Sequence, residues 1–194
     1  MNPEDLQNAG RLKQVRMVAK LVNQQDRRAL PIVIGSAVLI IVVFVLVGLQ
    51  DPGNLGTILR SAEAFGSAGV VLGEGTVSPF NAKVIRASAG SIFRLPVIIA
   101  KAAGGLEGIL AKLRAQGVRL LATSSHKGTP LDQAKLIDPL AIFIGSEGAG
   151  LARGLMAQMD ETVAIPHSAR VESLNAGVAG SIVLYEAARQ RREH

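Results

Sequence analysis

From residue 30 to residue 49 the chain carries no charged side chain, and only Pro31, Gly35, Ser36 and Gly48 interrupt the apolar run. A run of about 20 such residues is long enough to cross a bilayer as a helix. The second half of it, residues 40–49, is dense in Ile and Val, the composition of a parallel strand buried on both faces. The segment therefore has two candidate fates, a membrane helix over residues 30–49 or the first strand of a core sheet that leads into the Asp51-Pro52-Gly53-Asn54 turn. Arg27 and Arg28 just before it would hold the N-terminal side in the cytoplasm, so a single span would leave residues 50–194 outside.

Beyond the turn, strand and helix patterns alternate. Leu55, Ile58, Leu59, Ala62 and Phe65 form a helical stripe closed by Gly66, and Asn54 is placed to cap it. Short strands are predicted at residues 70–72, 95–99, 118–122, 141–144 and 162–165. A helix is predicted over residues 106–115, ending at Gly117, and a C-terminal helix over residues 174–192. This alternation implies an α/β fold with a mainly parallel sheet. The division expected is residues 1–41, a basic helical arm with the start of the apolar segment, followed by one domain over residues 42–194. Leu12, Val15, Val18, Ala19 and Val22 lie at helical spacing among the arm's cations. That arm reads equally as a solvated amphipathic helix or as a contact for RNA or lipid.

Charge and composition narrow the chemistry. A net charge of +6 suits an anionic partner, nucleic acid or a membrane surface. With no cysteine there is no disulfide, thiolate site or cysteine nucleophile, which fits a reducing compartment. His126, His167 and His194 lack ligand spacing, so no metal is expected. Five Phe and one Tyr argue against an aromatic base-stacking platform. There is no G-x-S-x-G elbow and no G-x-G-x-x-G fingerprint, which disfavours a serine hydrolase and a nicotinamide enzyme.

Three segments carry the chemistry. The first is Asn54-Leu55-Gly56-Thr57-Ile58-Leu59-Arg60, where Arg60 has Glu63 three residues on as an ordinary ion-pair partner. The second is Phe143-Ile144-Gly145-Ser146-Glu147-Gly148-Ala149-Gly150-Leu151, a glycine-rich loop after a strand, in which Glu147 could simply cap a helix starting near Leu151. The third joins Ile165-Pro166 to Ser173-Leu174-Asn175 and Ala176-Gly177-Val178-Ala179-Gly180, with Ser173 a plausible N-cap.

In this order and spacing the three segments resemble the motifs of the SpoU/TrmH family of RNA ribose 2'-O-methyltransferases, in the SPOUT superfamily. The resemblance covers residues 42–192. It implies a SPOUT fold with helices on both faces of the sheet, a C-terminal trefoil knot and a homodimer. It implies methyl transfer from S-adenosylmethionine to a ribose 2'-hydroxyl in structured RNA, with 23S ribosomal RNA favoured over transfer RNA. By the same resemblance Asn54, Arg60, Glu147, Ser173 and Asn175 are catalytic, while Gly145, Ile165 and Leu174 hold the methyl donor, with Thr123 and Ser124 as another wall of its pocket. Lys83, Arg86 and Arg94 would face RNA phosphates, the alternative being a solvated basic helix. A guanidinium with pKa above about 12 is a poor general base. Arg60 is therefore expected to grip a phosphate and to stabilise charge developing on the 2'-oxygen.

Many members of that family carry an N-terminal RNA-recognition domain of the L30e type, and the residues before residue 42 are too few to fold one. Residues 11–48 resemble instead, over a short stretch, the opening of an uncharacterised actinobacterial membrane-protein family. A membrane-anchored, catalytically idle fusion is thus the alternative to a cytoplasmic enzyme.

Overall fold

The computed structural model of the protein describes residues 42–193. The basic arm, residues 30–41 of the apolar run and His194 lie outside the described residues. Within the described part of the run Val42–Leu46 is a strand, β1, with all five residues buried. A helix spanning residues 30–49 is therefore not formed. Among the described residues no helix is long and apolar enough to cross a membrane.

In chain order the elements are β1, α1 (Pro52–Ala64), β2 (Gly69–Leu72), α2 (Ala82–Ala87), β3 (Val97–Ile99), α3 (Leu106–Ala115), β4 (Arg119–Ser124), β5 (Thr129–Pro130), β6 (Leu140–Ile144), α4 (Arg153–Met156), β7 (Glu161–Ala164) and α5 (Ala176–Arg192), with short 3-10 turns at Ser91–Phe93 and Ala100–Ala103. The strands form one sheet in the order β3-β2-β1-β6-β4-β7-β5, and every pairing is parallel. In β1, Phe44 is level with Val70 on one side and Ile142 on the other.

Because successive strand residues face opposite sides, β1 feeds two cores. Val42, Phe44 and Leu46 join Leu55, Ile58 and Leu59 of α1 and Val183 and Leu184 of α5. Val43 and Val45 join Leu110 and Leu113 of α3 on the opposite face. A parallel sheet covered on both faces needs apolar side chains at every position of its inner strands, which is why this stretch of sequence has the hydropathy of a membrane span.

The predicted strands and the helix over residues 106–115 are found with small shifts of boundary. Three helix starts differ. Asp51, not Asn54, caps α1: Pro52 takes the first helical position, where its missing N–H costs nothing, and the Asp51 carboxylate accepts from the Asn54 N–H at 2.7 Å. Asn175, not Ser173, caps α5, its side chain accepting from the Val178 N–H at 3.2 Å, so the helix begins at Ala176 rather than Leu174. The short α4 starts at Arg153 and has no side-chain cap, so Glu147 does not cap it. The two-residue β5, too short to carry a periodic pattern in the sequence, sits at the sheet edge, where Pro130 removes no ladder bond the sheet needs.

Candidate active site

The carboxyl ends of β4, β6 and β7 open into a cleft of about 360 Å³. Ligands of open parallel sheets bind beyond the carboxyl ends of the strands, and this volume lies within the range of small-molecule pockets. All five residues matched to the methyl donor, Thr123, Ser124, Gly145, Ile165 and Leu174, line this cleft, and so do Glu147 and Ser173. Thr123 ties two strand ends together by donating its hydroxyl to the Phe143 carbonyl at 3.0 Å.

The floor is a tight backbone loop. Ser146 and Gly150 exchange both backbone hydrogen bonds, at 3.1 and 2.9 Å, and the Ser146 hydroxyl donates to the Gly150 carbonyl at 3.2 Å. Between them Gly148 has φ +87, and Gly150 itself has φ +66, values that favour glycine. A Cβ on Gly145 would collide with the Gly150 carbonyl and the Leu151 nitrogen. The loop therefore presents main-chain groups to the cleft at a position where no side chain fits. Ser146 and His167 also line the cleft and were not singled out from the sequence.

The first and second motifs meet here. The buried Asn54 donates its side-chain amide to Glu147 Oε1. Since Asp51 has taken over the capping of α1, the Asn54 side chain is free to turn toward the loop. The third motif closes against the first: a Cβ on Gly177 would lie 3.1 Å from Asn54 Oδ1, 3.2 Å from Asn175 Oδ1 and 3.3 Å from Thr57 Cβ. Gly177 thus permits α5 to approach α1 at the point where Asn54 and Asn175 lie. Farther along the same contact, the hydroxyls of Ser61 and Ser181 are 2.7 Å apart.

Arg60 stands apart. It is exposed on α1, it does not line the cleft, and its side chain makes no hydrogen bond or ion pair among the described residues. Glu63, its candidate partner in sequence, instead holds Arg94 by two contacts, Nε to Oε1 at 2.5 Å and a terminal guanidinium nitrogen to Oε2 at 2.8 Å. Lys83 and Arg86 are exposed on α2, outside the cleft.

The structure also pairs two histidines that the sequence left unrelated. The rings of His126 and His167 stack with centroids 5.2 Å apart, and His167 Nδ1 lies 2.7 Å from the Ile165 carbonyl oxygen. Sequence spacing held no signal for this pair, because β4 and β7 become neighbours only in the folded sheet. Among the described residues no group of three or more His, Asp or Glu is placed to hold a metal ion.

Residues 41–185 match the model of the SpoU rRNA Methylase family. A 23S rRNA (guanosine(2553)-2'-O)-methyltransferase of Bacillus subtilis is 37% identical over 143 residues, 74% of this chain and 56% of the relative. The fold is similar to the crystal structure of the SpoU methyltransferase AviRb from Streptomyces viridochromogenes in complex with AdoMet, with TM-score 0.73, 32% identity, 79% of this chain and 58% of that one. It is also similar to a structure described as giving insight into the 2-OH methylation of C/U34 on tRNA, with TM-score 0.70, 26% identity, 79% of this chain and 98% of that one. This chain thus spans little more than half the length of the first two.

Proposed function

This chain belongs to the SpoU rRNA methylase family, and we propose that it transfers a methyl group from S-adenosylmethionine to a ribose 2'-hydroxyl of structured RNA, 23S ribosomal RNA above transfer RNA. The observation that carries the reading is the junction of all three motifs at one cleft: the Asn54–Glu147 hydrogen bond beside a loop whose backbone faces a nucleoside-sized space. The donor set fits the cofactor, since main-chain groups of residues 145–150 and the hydroxyls of Thr123 and Ser124 can hydrogen-bond an adenosine and an amino-acid tail. When bound, S-adenosylmethionine supplies an electrophilic methyl on a sulfonium.

The protein's own part is positioning, which can account for much of the acceleration of an in-line displacement. Asn54 fixes one oxygen of Glu147, leaving the other to accept the hydrogen of the 2'-hydroxyl. Ser173 lines the cleft just before α5 and orients the ribose, and Asn175, which caps α5 beside Asn54, holds that end of the helix in place. Arg60 grips the phosphate of the target nucleotide and stabilises the charge that grows on its 2'-oxygen. Lys83, Arg86 and Arg94 hold neighbouring phosphates.

The same reading includes a homodimer and a knotted C-terminal thread, and a cytoplasmic place of work where RNA and methyl donor are both present. Support for the dimer comes from α5, where Val178 and Tyr185 leave 48% and 47% of their surface in solvent. Two turns apart on a helix, they lie on one face. Support for transfer RNA as the alternative substrate comes from the similarity to the tRNA C/U34 structure, nearly all of which is covered by part of this chain.

Incubation with labelled S-adenosylmethionine and unmodified ribosomal or transfer RNA, followed by digestion to nucleosides, tests the proposal. A 2'-O-methylated product that disappears with Arg60→Ala is expected, and the RNA that is labelled identifies the substrate class. Cofactor binding without product on either RNA would count against the assigned substrate.

A further inference from the structure

Two of the five phenylalanines are set almost wholly in solvent. Phe80 and Phe93 expose 76% and 77% of their surface, whereas Phe44 and Phe143 are fully buried and Phe65 packs edge-on against Tyr185. Phe80 immediately precedes Asn81, the cap of α2, and Phe93 ends the 3-10 turn that follows that helix. Between them α2 carries Lys83 and Arg86, both exposed and neither in an ion pair among the described residues. From Gly75 to Leu106 the chain has no acidic residue, while it holds Lys83, Arg86, Arg94 and Lys101.

This strip lies along the helix that bears Arg60. At one end, a Cβ on Gly56 would collide with Ala87 Cβ and reach within 2.9 Å of the Ser88 nitrogen. At the other end, Arg94 is clamped to Glu63. Residues 87–94 therefore run beside α1 from Gly56 to Glu63, and Arg60 lies between those two anchor points.

We infer that Phe80 and Phe93 are stacking sites for unpaired bases of the RNA substrate, flanking the nucleotide whose phosphate Arg60 grips. The inference rests on the RNA-methylation reading above and adds to it which form of RNA the surface takes; it invokes two separate exposed rings, not the extended stacking platform that the composition argues against. Exposed rings on either side of Lys83 and Arg86, neither ion-paired among the described residues, match a polyanion that also offers flat apolar faces, and an unpaired nucleotide strand has both. A duplex hides its base faces and offers phosphates alone. A second copy of this chain is a poorer occupant, because a two-fold contact would set this patch against itself and bring its cations together.

The test uses the full chain and two probes, an unstructured oligouridylate of about ten nucleotides and a blunt RNA duplex of the same length. Phe80→Ala and Phe93→Ala should each weaken binding of the single strand about 5- to 100-fold. Duplex binding and S-adenosylmethionine binding, the latter measured by calorimetry, should stay unchanged. Phe→Trp at either position should retain single-strand binding, and Phe→Leu should lose it as Ala does, which separates stacking from mere apolar contact. Equal losses on both probes, no loss on either, or altered sedimentation with RNA binding intact would overturn the inference, the last by making the patch a protein contact. If wild-type chain methylates RNA and both Ala variants do so with unaltered KM, stacking alone is refuted. If wild-type chain neither binds nor methylates any RNA, the methylation reading itself fails and takes this inference with it.

Discussion

At the scale of single residues the site depends on a handover of roles. Asp51 caps α1 and so frees the Asn54 side chain for Glu147. Glu147→Gln keeps the shape and removes the charge that would accept the 2'-hydroxyl hydrogen; kcat should fall on the order of 100-fold with little change in S-adenosylmethionine affinity. Asn54→Ala, which leaves Glu147 without that donor, should give a smaller fall, about 10-fold, again in kcat. Stopped-time assays of methyl transfer alongside calorimetry of cofactor binding separate the two constants, and an equal loss of cofactor affinity would show that the pair merely shapes the cleft. Gly145→Ala should act the other way. Its methyl would strike the Gly150 carbonyl, so cofactor binding should be lost while the far-UV spectrum persists. Each of these residues could be named from the motifs. Their contact could not, because a bond between residues 93 positions apart has no local signature. The capping role went to Asp51 for a reason that is local and readable, the proline beside it, so that part of the site was legible in principle.

Among the elements, α5 is fixed at both ends by different means. At its start Gly177 and Gly180 let it close on α1; a Cβ on Gly180 would lie 3.0 Å from Ile58 Cγ1 and 3.1 Å from Ile144 Cδ1. At its end Gln190 accepts from the Leu136 N–H and donates to the Ala134 carbonyl, both at 2.9 Å, and Arg191 donates to the Asp138 carbonyl at 3.0 Å. Gln190→Ala leaves two main-chain groups without partners and should cost about 2 kcal/mol of stability in urea titration. Arg191 is different, since burial already pulls its guanidinium down to about 10. Arg191→Met removes that desolvation cost along with one hydrogen bond and should be close to neutral. The helix also carries a pH response. Hydrogen bonds from Arg189 hold the Glu186 carboxyl below its usual range despite partial burial. At Asp138 burial pushes upward, but the hydrogen bonds and charges of Lys135 and Arg119 outweigh it and hold that carboxyl low. A carboxyl held lower in the folded state than in the unfolded one stabilises above its unfolded pKa, and that stabilisation is lost as pH falls through the folded value. The melting temperature should therefore be level from about pH 7 to 5 and decline below about pH 4, and Glu186→Gln should reduce the decline.

For the molecule as a whole, the hydropathy of residues 30–49 was ambiguous because a bilayer and the middle of a covered parallel sheet ask for the same side chains. Only the neighbours of β1 decide between them, and those neighbours, β2 and β6, are far away in sequence. Arg60 presents a similar problem one level up, since its motif assigns it to the site and the fold leaves it exposed outside the cleft. A homodimer joined through the face of α5 that bears Val178 and Tyr185 would reconcile the two if Arg60 served the cleft of the other protomer. Mixing two inactive variants decides this. In a mixed dimer of Arg60→Ala with Glu147→Gln, service across the interface leaves one cleft with an intact Glu147 and an intact Arg60 from the other subunit, so activity returns in part. Service within a protomer leaves both clefts defective, and the mixture stays as inactive as its components. Val178→Glu, which puts a charge into that apolar face, should abolish the recovery and shift sedimentation to the monomer; recovery that survives it would place the interface elsewhere on the molecule.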